Sequence, residues 1–246
     1  MLVKQAANVL ELLEYFARRR RPATLAEISD DLAWPRSSTF NLVGTLAERG
    51  YLYEPRLRAG YYPTQRWHSV LHDIGGADPL PDEVVDLANA VAAETRETTA
   101  IATPNGLHAM FVHVVESDQP IRYSVQVGGR VPIHASSAGR ALLAQMTADE
   151  RQAIYRRIKW MRFSDTTPLS GEVIEAELTA ADRRGYHQSN AEYIADLAGL
   201  AFALPVPHRR LSLVVAGPVS RCLSRRVEIA GAIRRGLVRH GLSIAG

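Results

Sequence analysis

The chain has 246 residues, of which 46% are hydrophobic and 22% are charged, so it can bury a core and is not expected to be disordered. The single cysteine, Cys222, excludes an internal disulfide framework and a cysteine-rich zinc site. The net charge is only +3, and no apolar run approaches the roughly 20 residues of a membrane span, which predicts a soluble cytoplasmic protein.

Three helices are predicted in the first fifty residues. Apolar residues spaced by three and four positions predict a first helix that ends near Arg18. The stretch 24–27 has the side chains of a capping box and predicts the start of a short second helix. Ser37 or Ser38 is expected to cap a third helix, which Gly50 would end.

Aromatic-rich strands follow the third helix. Residues 51–53 and 61–62 are expected to pair across a hairpin loop, and 64–74 to form a further helix. Three helices and a two-stranded wing are the layout of a winged helix-turn-helix, whose third helix enters the major groove of DNA. The Gly- and Pro-rich stretch 75–81 is the strongest break in the chain and predicts the domain boundary.

The rest of the chain predicts an α+β domain with a mostly antiparallel sheet. Asn105-Gly106 lies between apolar runs and favours a hairpin. The predicted strands lie near 99–103, 108–115, 121–127, 200–206 and 211–216, and the predicted helices near 82–97, 137–146, 149–158, 171–184 and 222–240. We therefore expect a DNA-binding domain over 1–64, a linker helix and hinge over 65–79, and a second domain over 80–246.

Two stretches resemble the IclR family of bacterial transcription regulators. Residues 34–39, Trp-Pro-Arg-Ser-Ser-Thr, and 46–51, Leu-Ala-Glu-Arg-Gly-Tyr, are similar to the family's helix-turn-helix. Residues 127–144, Val-Gly-Gly-Arg-Val-Pro-Ile-His-Ala-Ser-Ser-Ala-Gly-Arg-Ala-Leu-Leu-Ala, closely resemble its effector-domain signature. Gly185-Tyr186, Glu192 and Gly217-Pro218 match further positions in the expected order.

The resemblance implies a winged helix, a linker helix used in dimerisation, and a GAF-like domain that binds a small molecule. We therefore expect a homodimer or homotetramer that binds double-stranded DNA at a pseudo-palindromic operator. No cofactor, metal or catalytic residue is expected. Whether the protein represses or activates transcription is left open.

The DNA contacts are expected at the start of the third helix and at the tip of the wing. Arginine can pair bidentately with guanine, and asparagine suits adenine, although relatives usually carry arginine where this chain has asparagine. The alternative is that the serines only cap the helix and the arginines are solvated surface charges. The candidate residues are Arg36, Ser37, Ser38, Thr39, Asn41, Arg56 and Arg58.

The candidate effector site begins where a strand meets a helix whose first amides are unpaired, so that a small carboxylate could bind there. The alternative is that Ser136 or Ser137 simply caps this helix. Positions matching the family's pocket are mostly apolar, which predicts an effector with an apolar or aromatic body and an acidic head. The candidate residues are His134, Ala135, Ser136, Ser137, Ala138, Gly139, Asn190, Gly199, Ala201, Val214 and Ala216.

Three other interpretations remain. In the first, the second domain serves oligomerisation alone, without a ligand. An enzyme would need a nucleophile, a base and an orienting group, and no recognisable catalytic motif surrounds the serines, histidines and Cys222. His68 and His72 lie four apart on the predicted linker helix but lack a third metal ligand in sequence range, and His108 and His113 are expected to face opposite sides of a strand.

Overall fold

The computed structural model describes residues 3–56, 59–77 and 79–242. The chain divides into two compact units, the first reaching Pro79 and the second starting at Leu80. Within the described ranges, no helix combines the length and the apolar character that crossing a bilayer requires.

The first unit contains four helices and a two-stranded sheet. In chain order these are α1 (Lys4–Arg19), α2 (Leu25–Asp31), α3 (Arg36–Glu48), β1 (Leu52–Tyr53), β2 (Tyr62–Pro63) and α4 (Arg66–Ala77). The strands pair antiparallel. This is the predicted order of helices and wing, and the expectation of a winged helix-turn-helix is confirmed.

Side-chain hydrogen bonds fix the start of α2 and the turn between α2 and α3. The predicted capping box is present, because the Thr24 hydroxyl accepts from the Glu27 amide and the Glu27 carboxylate accepts from the Thr24 amide. The Ser29 hydroxyl donates to the carbonyl of Trp34 at 2.7 Å, which closes the turn from inside. The expectation of a serine cap on α3 is wrong, since Pro35 is the N-cap residue and no side chain caps the helix. The fixed φ angle of Pro35 is compatible with a helix start, so α3 begins there without a side-chain cap.

The core of the first unit lies between its three first helices and the wing. Leu12, Phe16, Ile28, Val43 and Leu52 are all buried in one cluster. Their side chains come from α1, α2, α3 and β1, so burial of apolar surface fixes α3 relative to the wing.

Helix α4 extends further than the sequence predicts. It runs through Gly75 and Gly76 to Ala77, whereas the break was expected to begin at the first of these glycines. Glycine disfavours a helix by about 1 kcal/mol but does not forbid it. Pro79, which follows, is the stronger stop, because it disfavours helical backbone in the residue before it.

The second unit is a six-stranded antiparallel sheet with helices on both faces. Its elements are α5 (Asp82–Thr95), β3 (Thr98–Asn105), β4 (His108–Val115), β5 (Arg130–Pro132), α6 (Ser137–Leu143), α7 (Ala148–Tyr155), α8 (Gly171–Arg184), β6 (His187–Asn190), β7 (Leu197–Leu204), β8 (Leu211–Pro218), α9 (Val219–Cys222) and α10 (Arg226–Arg239). The strand order is β5-β4-β3-β8-β7-β6. The predicted α+β class with an antiparallel sheet is confirmed.

One strand prediction is wrong. Residues 121–127 form no strand, and Tyr123 and Val125 turn inward while Ile121 and Val127 are exposed. Pairing with β4 begins after this segment, where the Gly128 amide donates to the Phe111 carbonyl and Arg130–Pro132 forms β5. The edge strand β6 was not predicted, because its sequence His-Gln-Ser-Asn has no apolar alternation.

The two faces of the sheet carry side chains of different size. Toward α5 and α10, alternate residues are large, including Ile101, Leu200 and Leu213. Toward α6, the residues between them are small, including Ala100 and Ala201. Small side chains on a sheet face leave space above it, and a cavity lies on this face of the sheet.

Candidate functional site

The exposed face of α3 presents five side chains in its first two turns, and Ser38 is one of them. Arg36, Ser37 and Asn41 are exposed, and Phe40 is 64% exposed. The Phe40 ring therefore lies beside Asn41 on the exposed face of α3. Sequence reasoning missed Phe40, although it lies between two predicted residues.

Thr39 is a correction to the predicted contact set. Its side chain is fully buried, and its hydroxyl donates to the carbonyl of Pro35 at 3.2 Å. It therefore stabilises the first turn of α3 and offers no surface to a ligand.

A groove runs between α1 and α3. Ser38 and Asn41 line it on one side, and Lys4 and Asn8 line it on the other. The α1 residues were not predicted as part of the site, because the first turn of α1 was interpreted only as an apolar stripe. The groove places a lysine ammonium and two side-chain amides beside the exposed face of α3.

The wing supplies an exposed Arg56 in the loop between β1 and β2. Arg58, the second predicted contact, lies outside the described residues. At the base of the loop, Gly60 has φ +89°, and a Cβ there would lie 2.3 Å from the backbone of Ala23. Only glycine lets the wing approach the turn before α2 so closely.

A cavity lies in the second unit between α6 and the small-residue face of the sheet. It encloses about 500 Å³ of empty space, including its mouth. Apolar and aromatic side chains form most of the wall, together with a few hydroxyl groups. The wall consists of Thr98, Ala100, Phe111, Tyr123, Val125, Val131, Ala135, Ser136, Ser137, Ala138, Ser189, Glu192, Tyr193, Ile194, Leu197, Gly199, Val214 and Ala216.

Seven of the predicted ligand-site residues line this cavity. They are Ala135, Ser136, Ser137, Ala138, Gly199, Val214 and Ala216. Four do not line it. Asn190 borders a different surface pocket, and Ala201 is fully buried in the sheet. Gly139 is not among the lining residues, and His134 lines a separate groove.

Gly139 is required by packing. A Cβ at this position would lie 2.1 Å from the carbonyl oxygen of Ile133, so any other residue would push α6 away from the preceding turn. The Ser136 hydroxyl accepts from the Gly139 amide at 3.2 Å and caps α6. The capping alternative for Ser136 is thus correct, and this amide is already occupied.

Two serine hydroxyls at the cavity wall lie beside Gly199. Gly199 separates Ser137 from Ser189, and a Cβ on Gly199 would lie 2.6 Å and 3.1 Å from their respective Oγ atoms. Ser137 is 2% exposed, and neither hydroxyl is hydrogen-bonded to another residue in the described ranges. A polar group of a ligand would meet both hydroxyls together.

Among the described residues that line the cavity, Glu192 is the one charged side chain, and a buried arginine outside the lining neutralises it. Glu192 forms a bidentate ion pair with Arg140, which is 1% exposed. Arg140 also donates to the carbonyls of His134 and Gln188. Because these partners hold both charges in place, the cavity wall behaves as polar but not as strongly acidic.

The mouth of the cavity is aromatic. Tyr123 and Tyr193 both line it, and burial, with a smaller contribution from Tyr193, raises the pKa of Tyr123 to about 12. Tyr193 also contacts Phe163 edge to face, with ring centroids 5.1 Å apart. Phe111 completes the aromatic wall from β4. Such a wall suits a flat apolar ligand body.

A winged helix-turn-helix joined to a unit with a ligand-sized cavity defines a transcription regulator with an effector-binding domain. The family profile described as "IclR helix-turn-helix domain" matches residues 5–56, and "Bacterial transcriptional regulator IclR C-terminal" matches residues 83–236. The chain belongs to the IclR family of bacterial transcription regulators.

Characterised relatives align along almost the whole chain. The HTH-type transcriptional repressor AllR of Salmonella paratyphi A is 27% identical, over 94% of this chain and 88% of the relative. The transcriptional repressor IclR of Escherichia coli is 25% identical, over 94% and 86%. Among solved structures, an IclR homologue from Microbacterium hydrocarbonoxydans complexed with 4-hydroxybenzoate has a TM-score of 0.69 at 24% identity, over 96% of this chain and 99% of that one.

Proposed function

We propose that the protein is a ligand-responsive transcriptional repressor whose effector is a small carboxylic acid with an aromatic body. The observation that carries this proposal is the cavity of about 500 Å³ with an aromatic wall and two adjacent serine hydroxyls, in a chain that also has a winged helix-turn-helix. Repression is favoured because the relatives named above are repressors.

The DNA-binding part of the proposal rests on the exposed face of α3. Arg36 and Asn41 can pair with base edges, while Arg56 in the wing and Lys4 in α1 can contact phosphates. We place the DNA-binding domain at 1–64, the linker helix at 65–79 and the effector domain at 80–246. Two such domains in a homodimer or homotetramer would read a pseudo-palindromic operator in the cytoplasm.

The test of DNA recognition starts from a binding site selected from random DNA. Arg36→Ala is expected to weaken binding to the selected site more than binding to random DNA, since a base contact discriminates by about 1–3 kcal/mol. Arg56→Ala is expected to weaken both equally and to reduce the salt dependence. Equal losses on both DNAs for Arg36→Ala would contradict its role in reading bases.

In the effector part of the proposal, the ligand ring lies among Phe111, Tyr123 and Tyr193. Its carboxylate accepts hydrogen bonds from Ser137 and Ser189. Binding changes DNA affinity only if the ligand prefers one of two arrangements of the protein.

A thermal-shift series tests the effector class. Benzoate and hydroxybenzoates are expected to raise the melting temperature, while glyoxylate and pyruvate are too small to fill the cavity and should have little effect. Ser137→Ala with Ser189→Ala should reduce the shift by the part that binding in the cavity contributes. Stronger stabilisation by glyoxylate than by benzoate would overturn the aromatic assignment. No response to any acid would favour the alternative that this domain only oligomerises, and turnover of a ligand would favour an enzyme.

A further inference from the structure

A second groove lies on the outer surface of the effector domain, beside the turn that follows β5. It contains about 590 Å³ of empty space open to solvent. Its apolar surface includes Met161 and Phe163, which are 58% and 38% exposed. This groove shares no lining residue with the cavity described above.

The charged side chains that line this groove are cationic. Arg157 and Lys159 both border it, and neither forms an ion pair within the described part of the chain. His108 also lines it, and no aspartate or glutamate does so among the residues described. An apolar surface beside two unneutralised cations complements an organic anion.

His134 provides the second observation. Its side chain lines the groove and not the effector cavity, and the residue is only 4% exposed. Neither ring nitrogen has a hydrogen-bond partner within the described residues. Burial, with the nearby positive charges of Arg140 and His108, lowers the pKa of His134 to about 4. The imidazole is therefore neutral at pH 7, with one donor and one acceptor unused.

An unsatisfied buried imidazole is costly, and native proteins rarely keep one without a role. The ring is held by Trp160, at a centroid distance of 5.4 Å, and by Phe163, at 6.1 Å. It is therefore fixed beneath the groove.

We propose that this groove is a second ligand site, which binds an aromatic monocarboxylate. Its carboxylate pairs with Arg157 and Lys159 and accepts a hydrogen bond from the His134 imidazole, and its ring lies on Met161 and Phe163. This site does not depend on the assignment of the effector cavity.

The groove is also connected to the effector cavity through His134. The carbonyl of His134 accepts from Arg140 at 3.1 Å, and Arg140 pairs with Glu192 at the cavity wall. Ala135 and Ser136, the next two residues, line the cavity itself. An anion in the groove therefore acts on a segment that also forms the effector site.

Trp160 is the reporter for this site. The chain has three tryptophans, and the other two, Trp34 and Trp67, belong to the first unit. The full-length protein labelled with 5-fluorotryptophan is titrated with benzoate and followed by ¹⁹F NMR, with Trp160→Phe used for assignment. Benzoate is expected to shift the Trp160 resonance saturably, and neutral benzamide is expected to bind at least tenfold more weakly.

The decisive variant is Arg157→Gln with Lys159→Gln, which should weaken the Trp160 response at least tenfold. Arg156→Gln with Arg162→Gln removes the same charge from two exposed neighbours outside the groove. This control should change the Trp160 response to benzoate less than twofold. His134→Phe keeps the ring but removes both nitrogens, and should weaken the response while the protein remains folded.

Cavity-filling variants separate this proposal from the effector assignment. Gly199→Val, or Ala216→Leu if the first does not fold, should abolish cavity binding and leave the Trp160 response to benzoate intact. Loss of that response in the cavity variants, with no effect of the groove variants, would overturn the second site. A change in oligomeric mass in Arg157→Gln with Lys159→Gln, without weaker benzoate binding, would assign the groove to contacts between copies and also overturn it.

Discussion

The guanidinium of Arg140 and the carboxylate of Glu192 form two parallel contacts, at 2.6 Å for Nη1 to Oε2 and 2.9 Å for Nη2 to Oε1. Glu192 belongs to the β6–β7 connection, residues 191–196, which also supplies Tyr193 and Ile194 to the cavity wall. The Glu192 carbonyl is held as well, because it accepts from Thr167 at 2.6 Å. The ion pair thus fixes one wall of the effector cavity to α6.

Removing Glu192 is expected to destabilise the protein strongly. Glu192→Ala leaves Arg140 buried without its counter-charge and should lower the free energy of unfolding by about 3 kcal/mol. Urea unfolding measures this. Arg140→Met with Glu192→Met should recover most of the loss, because no buried charge remains.

The control for this prediction is Glu94→Ala. Glu94 pairs with Arg235 on the surface, where the two side chains are 41% and 59% exposed. Exposed pairs contribute about 0–1 kcal/mol. Equal losses for Glu192→Ala and Glu94→Ala would show that burial does not strengthen the Arg140 pair.

Phe40 is expected to contribute to DNA recognition without contributing to stability. Phe40→Ala should leave the melting temperature nearly unchanged, because the ring is 64% exposed. It should weaken binding to a selected DNA site by about tenfold, because an aromatic ring on the recognition helix can contact a thymine methyl group. Fluorescence anisotropy with the selected site and with random DNA measures this. Unchanged affinity for the selected site would remove Phe40 from the interface.

Gly139 and Gly231 are expected to respond differently to the same substitution. Gly139→Ala places a Cβ 2.1 Å from the backbone of Ile133 and should cost about 2 kcal/mol or more. Gly231→Ala in α10 meets only the end of the flexible Arg235 side chain, at 3.2 Å, and should be neutral or stabilising by a few tenths of a kcal/mol. Thermal unfolding of the two variants compares them directly. A neutral Gly139→Ala would mean that α6 can move away from Ile133.

His187 is expected to make stability depend on pH between about 6.5 and 4. Burial, together with the charges of Arg140 and Arg184, lowers the pKa of His187 to about 4 in the folded protein. As pH falls below 6.5, the unfolded chain takes up the proton first, so stability is full above pH 6.5 and is lost progressively down to about pH 4. The loss from this residue by pH 4.5 is about 2 kcal/mol.

His187→Phe tests this dependence. The variant should make the stability profile between pH 6.5 and 4.5 less steep, with His134 contributing a remaining slope because its pKa is also lowered to about 4, and urea unfolding at several pH values measures the change. Tyr186→Phe changes an adjacent buried ring but removes no histidine, and its profile should match that of the natural chain. Identical slopes for His187→Phe and the natural chain would contradict the assignment.

Much of the fold follows from local sequence signals. Thr24 and Glu27 mark a helix start by their own hydrogen-bonding groups, and Asn105-Gly106 marks a hairpin, so these features need no tertiary information. Residues 121–127 show the limit of such signals. Their alternation of apolar and polar side chains fits a strand, but it serves to cover a cavity with Tyr123 and Val125.

The candidate sites also contain residues that the sequence pattern identifies and residues that only the fold brings together. Gly199 and Ser137 were found from motif positions, because their neighbours in sequence carry the pattern. Phe111, Tyr123 and Tyr193 were not assigned to the cavity wall, because elements distant in sequence bring these rings together. His134 was expected at the cavity but does not line it, since the direction of a side chain at a turn depends on what packs around it, here Trp160 and Phe163.

Gly199 also bears on how such a regulator can evolve. The missing side chain at this position leaves open the space between Ser137 and Ser189, and every glycine codon is one nucleotide from codons for alanine and valine. A single base change therefore places a side chain between these hydroxyls, and even a Cβ would lie 2.6 Å from the Ser137 Oγ atom, so the Ser137 side chain would have to shift. Enlarging this one position would thus change the cavity volume and the placement of its serine hydroxyls together.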